Sequence, residues 1–120
     1  MIVPILTLAI LPAFQVGGQP NPAKNSFLVY ACQTTVRLQE AHAPAPNDES
    51  TRLEIACVTY IQGFADSAAL TQGLCVKGVS IGALTKEYLA YLERHPEMLD
   101  QNKALGLAAA IRAAHPCLAK

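Results

Sequence analysis

An all-α fold, a small antiparallel bundle of four helices stapled by two disulfides, is predicted by three features of this 120-residue sequence. Apolar residues recur at helical spacing across most of the chain after residue 25. Prolines mark the boundaries between the periodic stretches. Four cysteines, Cys32, Cys57, Cys75 and Cys117, follow an uncharged, apolar N-terminal stretch. An even number of cysteines behind an export signal describes a small domain cross-linked in an oxidising compartment.

The first element is that N-terminal stretch. Met1 to Val16 carry no charged side chain, and the first charge of the chain is Lys24. The run is shorter than the roughly 20 residues a membrane span requires. Pro4 and Pro12 interrupt it, and Gly17-Gly18-Gln19-Pro20 ends it. It reads as a cleavable signal peptide over residues 1–18, with Val16 and Gly18 as the small residues of the cleavage site, rather than as a stable membrane anchor. The usual Lys or Arg of the leading region is missing. Residues 19–120 then form one domain with one modest core. All nine Lys/Arg and all nine Asp/Glu lie in that part, so its formal charge is zero. No basic stripe points to nucleic acid and no polybasic segment points to a lipid surface.

The helices follow in order. The first is expected from about Ser26 to Ala41, capped by Asn25 or Ser26, with Phe27, Leu28, Ala31, Cys32, Val36 and Leu38 on its apolar face. His42 to Asp48 carries two prolines and reads as an exposed loop. The second helix is the clearest: Leu53, Ala56, Cys57, Tyr60, Ile61, Phe64 and Ala68 trace one buried face. Asp48 or Ser50 is its expected cap and Gly73 its end. A connector, Leu74–Val79, leads to Ser80, which caps a third helix bearing Ile81, Leu84, Tyr88, Leu89 and Leu92. Pro96 closes that helix at about Arg94. A fourth is expected from Asp100 or Gln101 to Ala114, packing through Ala104, Leu105, Ala108 and Ile111, and stopped by His115-Pro116.

Helix lengths select the disulfides. Cys57 and Cys75 are separated by about 27 Å along a nearly continuous helix, whereas a disulfide requires Cα atoms roughly 4.4–6.8 Å apart. In an up-down arrangement Cys32, before the end of the first helix, sits level with Cys57, after the start of the second. Cys75 and Cys117 each follow a helix end at the same pole. The expected pairs are Cys32–Cys57 and Cys75–Cys117, each contributing roughly 2–4 kcal/mol.

Catalytic and metal-binding patterns are missing. There is no CxxC, phosphate loop, GxSxG or HExxH. His42, His95 and His115 are far apart, and two of them precede prolines, so neither a metal site nor a cofactor is expected. A Cys–His nucleophilic pair would need a free thiol, and the even cysteine count speaks for disulfides instead. Among single residues, Asp66 is either a solvated carboxylate or a structural acceptor reaching a neighbouring helix. Gly63, in mid-helix, is expected to admit the close approach of another helix, at about 1 kcal/mol relative to Ala. Tyr60, Gly78, Pro96 and Pro116 are expected to serve structure. Tyr91, off the apolar face of its helix, is the expected exposed contact aromatic.

These residues resemble the Rap/Tai family of immunity proteins. The resemblance runs from Phe27–Gln33 (FLVYACQ) through Ala56–Ser67 (ACVTYIQGFADS), Leu74–Leu84 (LCVKGVSIGAL) and Tyr91–Leu99 (YLERHPEML) to Ala109–Cys117 (AAIRAAHPC). Lys77 departs from it, standing where the family usually has a short acidic turn. The resemblance implies a periplasmic, all-helical, non-enzymatic protein, often a homodimer. Such proteins bind a cognate peptidoglycan amidase delivered by type VI secretion and block its active cleft. Two other classes compete. A small periplasmic chaperone or stress protein would call for many titratable side chains, and only 15% of this chain is charged. An enzyme would need the free thiol discussed above.

The expected partner-binding surface is the connection between the third and fourth helices, His95 to Asn102, flanked by Tyr91 and Glu93. It is polar and pinned by Pro96, so it can enter a cleft at little entropic cost. Glu97 and Asp100 can pair with basic groups at the rim of such a cleft. The competing surface is the longer His42–Asp48 loop.

Overall fold

The computed structural model describes residues 21–71 and 73–117; the expected signal peptide and its cleavage site lie outside them. The described residues form four α-helices: α1 (Asn25–Glu40), α2 (Asp48–Thr71), α3 (Ile81–Arg94) and α4 (Lys103–Ala114). A single 3-10 turn, Pro96–Met98, sits between α3 and α4. No described residue belongs to a β-strand; the one isolated bridge pairs Lys24 with Asn102.

The helices begin and end for identifiable reasons. Asn47 caps α2, its Oδ1 accepting the Ser50 N–H at 2.9 Å, in place of the expected Asp48 or Ser50. Those two residues lie inside the first turn, where Asp48 and Glu49 complement the helix dipole. Ser80 caps α3 as expected, accepting from the Ala83 N–H at 3.0 Å. Asn102 caps α4 through the Ala104 N–H, so α4 starts later than expected: residues 96–101 are drawn into the 3-10 turn and the bends that follow it. Both α3 and α4 end at His-Pro. His95 and His115 take nearly identical backbone angles, φ −131°, ψ 63° and φ −134°, ψ 65°, because the following proline ring disfavours helical geometry.

At the end of α1 the Ala43 N–H reaches the Leu38 carbonyl and the His42 N–H that of Gln39, both at 3.1 Å. This is the Schellman arrangement. It places His42 at φ +51°, a position that favours glycine.

The core draws on every helix: Leu28, Ala31 and Cys32 from α1; Leu53, Cys57, Ile61, Ala65 and Ala68 from α2; Leu84, Tyr88 and Leu92 from α3; Leu107, Ala108, Ala110 and Ile111 from α4. Leu74 and Val76 close it from the α2–α3 connector. Phe27, Ala56, Tyr60, Phe64, Ile81 and Leu89 pack around it half-buried. Leu105, expected on the packing face of α4, is exposed instead, and Gly106 and Leu107 take that face. On α1, Val36 and Leu38 are only half-buried, while Thr34 and Thr35 are buried with their hydroxyls bonded to the Tyr30 and Ala31 carbonyls.

Both expected disulfides are formed, with Cα separations of 5.0 Å for Cys32–Cys57 and 5.3 Å for Cys75–Cys117. Gly78 turns the connector at φ +80°, which supports its expected structural role. The close helix approach expected at Gly63 occurs elsewhere. Gly63 is exposed and no atom lies within 4 Å of where its Cβ would stand. At Gly106 a Cβ would lie 2.6 Å from Asn25 Cγ and 2.7 Å from Nδ2. That is the glycine by which α4 approaches α1.

Candidate partner-binding surface

The α3–α4 connection is built outward from one buried side chain. Asn25, fully buried at the first turn of α1, donates through Nδ2 to the carbonyls of Met98, Gln101 and Asn102 at 2.8, 3.1 and 3.2 Å. Its Oδ1 accepts the Tyr88 hydroxyl at 2.8 Å. Asn25 therefore does not cap its own helix, and neither does Ser26. The first N–H groups of α1, which a helix leaves without internal partners, are taken by the connection: Asn25 N–H donates to Gln101 O and Ser26 N–H to Leu99 O, each at 2.9 Å. In return the Lys103 N–H donates to Ala23 O at 2.8 Å. One segment thus satisfies the start of α1, and the start of α1 fixes that segment.

Within the connection, Met98 N–H bonds His95 O, Leu99 N–H bonds Pro96 O, and Gln101 N–H bonds Met98 O. Lys24 forms an ion pair with Asp100 at 2.7 Å. The pair is largely exposed on the Asp100 side, so its worth is small. The result is a loop held by backbone hydrogen bonds within itself and to the start of α1, with its acidic side chains exposed.

Of the residues expected to bind a partner, Glu93, Glu97 and Asp100 are exposed. Tyr91 differs from expectation. It is half-buried, and its ring stacks on His95 with centroids 4.0 Å apart. The His95 Nδ1–H donates to the Tyr91 carbonyl at 2.9 Å. Tyr91 therefore braces the entry to the connection and presents only part of its ring to solvent. Among the described residues the exposed aromatic is Tyr30 on α1. Beside the connection lies a shallow groove of about 340 Å³, lined by Val29, Gln33, Leu89, Glu93, Pro96 and Leu99. The four binding candidates lie on or beside one continuous segment, with this groove on one flank.

Other candidates are scattered. Tyr60 is half-buried, 6.1 Å from the Phe64 ring and capped by the Lys103 ammonium at 4.3 Å from its centroid. Burial raises its phenol pKa above the ordinary value. The Tyr88 phenol is raised much further, by burial first and by Tyr60 second. Asp66 is exposed and makes no ion pair among the described residues, so it is a solvated carboxylate rather than an acceptor for a neighbouring helix. Pro116 is exposed beside the Cys75–Cys117 bridge. His115 Nε2–H donates to Glu87 at 2.7 Å and fastens the end of α4 to α3. No cluster of three potential metal ligands occurs among the described residues, and none of their helices is long and apolar enough to cross a membrane.

Sequence reading missed Asn25. Asn next to an apolar run ordinarily is a cap, and the sequence offers it as one. The usable signal was Gly106, a small residue on the helix that must lie against it, together with Tyr88, a buried hydroxyl in need of a partner.

Comparison with known proteins places this architecture. The family model described as Rap1a immunity proteins matches residues 25–117, from the buried Asn25 to the last cysteine. No curated protein and no solved structure gives a significant match. A match over that span, taking in all four helices and both disulfides, shows that the chain belongs to the Rap1a immunity protein family.

Proposed function

We propose that this is a periplasmic immunity protein that binds a cognate type VI secretion effector, a peptidoglycan amidase, and occludes its active cleft without catalysing a reaction itself. The family match over residues 25–117 carries the reading. Residues 1–18 act as a removable export signal and residues 19–120 as the working domain. Export agrees with the disulfide content, since such bonds persist in oxidising compartments. A homodimer is the expected assembly.

The occluding element is the α3–α4 connection. It projects Glu93, Glu97 and Asp100 from a backbone held by Asn25 and the start of α1, so little conformational entropy is lost on entering a cleft. The carboxylates suit a cleft rimmed with Lys or Arg. The test is single alanine replacement of Tyr91, Glu93, Glu97 and Asp100, with affinity for the amidase measured by calorimetry. At least one should cost about 1 kcal/mol or more. If none does while changes in the His42–Asp48 loop do, the occluding element is the α1–α2 loop.

A further inference from the structure

The two disulfides occupy opposite environments. Cys32 and Cys57 are both 0% exposed, between α1 and α2. Cys75 and Cys117 are both exposed, joining the α2–α3 connector to the segment after α4. The connector they hold has little else to fix it. Among the described residues, the backbone hydrogen bonds of 74–79 are internal: Val76 N–H to Leu74 O and Val79 N–H to Val76 O. Its remaining attachments are the burial of Leu74 and Val76 and the half-buried Val79, which packs against the same core. It also forms one wall of an open groove of about 860 Å³ whose other wall is the end of α2, with Ala65, Ala69 and the 87%-exposed Leu70.

We propose that Cys75–Cys117 is a reversible redox latch, opened in the folded protein by a dithiol reductant, while Cys32–Cys57 remains a permanent staple. A thiolate of the dithiol attacks Sγ of Cys75 or Cys117. The disulfide bond breaks, a mixed disulfide forms, and the departing cysteine thiolate takes up a proton. The second dithiol sulfur then displaces the bound cysteine, which is protonated in turn. Two electrons pass to the protein, and the dithiol becomes its own disulfide. An attacking thiolate needs a path to sulfur, which the exposed pair provides and the buried pair denies. Opening frees the connector and the segment after His115. α1, α2 and the α3–α4 connection stay in place, because Asn25 and Cys32–Cys57 hold them independently.

The experiment treats the folded, oxidised protein with dithiothreitol under non-denaturing conditions, quenches with an alkylating agent at intervals, and maps the labelled peptides by mass spectrometry. Cys75 and Cys117 should be labelled at least roughly a hundredfold faster than Cys32 and Cys57, whose reduction requires the core to open. Equal rates, or earlier labelling of Cys32 and Cys57, overturn the assignment of the latch. Hydrogen exchange on the partly reduced protein supplies the second readout. Residues 73–80 should lose protection while α1 and α2 keep theirs. Unchanged exchange in 73–80 overturns the claim that this bridge governs the connector. The same exchange pattern is expected in the oxidised Cys75→Ser/Cys117→Ser variant, and loss of protection throughout α1 and α2 in the partly reduced wild-type protein would contradict the independence of the two staples.

Discussion

Replacing Asn25 by alanine tests how the α3–α4 connection is held, and the structure sets the size of the effect. The three carbonyls that Asn25 Nδ2 reaches each keep a backbone donor: Gln101 N–H for Met98 O, Asn25 N–H for Gln101 O, and Leu105 N–H and Gly106 N–H for Asn102 O. The Tyr88 hydroxyl is worse placed. Without Oδ1 its remaining neighbour is the residue-25 carbonyl at 3.5 Å, at the limit of a hydrogen bond. Stranding one buried hydroxyl costs about 1–3 kcal/mol, and each lost hydrogen bond about 1 kcal/mol net. The hydrogen bonds of two Nδ2 protons are lost and one hydroxyl is stranded, so Asn25→Ala should lower stability by about 3–5 kcal/mol, a large share of a total of roughly 5–15 kcal/mol. In a Tyr88→Phe background the same change should cost about 1–2 kcal/mol less, because no hydroxyl remains to strand. Asn25→Asp should be worse at neutral pH than at acid pH. It sets a carboxyl against three carbonyl oxygens in a buried site, which raises its folded-state pKa. Stability is then greatest below the unfolded carboxyl pKa of about 4 and falls as pH rises through and beyond it. The assay is urea unfolding of the four oxidised variants, with wild type, at two pH values. A cost below about 1 kcal/mol for Asn25→Ala, or strict additivity with Tyr88→Phe, would refute the network as the anchor of the connection.

Four further outcomes follow from the structure. Gly106→Ala should destabilise by about 1–3 kcal/mol in denaturant melts, since its Cβ would collide with Asn25; Gly63→Ala, open to solvent in mid-helix, should stabilise by about 0.5–1 kcal/mol. His42→Gly should raise stability by up to about 1 kcal/mol in the same assay by relieving the left-handed backbone at the end of α1. Stability should decline above about pH 10, where the unfolded chain loses the tyrosine protons that burial retains on Tyr88, and Tyr88→Phe should flatten that decline in pH-dependent melts.

Most of the fold was legible because its signals are local and strong. The period of Leu53, Cys57, Ile61 and Ala68, the Ser80 cap and the two His-Pro stops each act within a few residues, and all appear as read. The disulfide pairing was legible because helix rise converts residue spacing into distance and leaves few compatible partners. Features set by tertiary contact were harder to read. Asn25 has the composition of a cap, but a glycine eighty-one positions later turns it inward. Gly63 has the composition of a contact, but its outcome depends on which face of α2 meets a neighbour. Tyr91 lies off the apolar stripe and is still half-buried, because His95 folds back over it. The candidate surface was legible as a polar, proline-pinned segment. Its rigidity was not, because that comes from carbonyls bonding to a helix start some seventy residues earlier.

The most direct test of the account is inhibition of the peptidoglycan amidase effector proposed as the partner. Purified, oxidised protein lacking residues 1–18 is titrated into that enzyme while cleavage of peptidoglycan cross-link peptides is followed by chromatography. The account predicts that cleavage falls to background at a fixed stoichiometry, and that excess protein leaves the peptides themselves unchanged. Full cleavage in the presence of excess folded protein, with no binding detected by calorimetry, would contradict it.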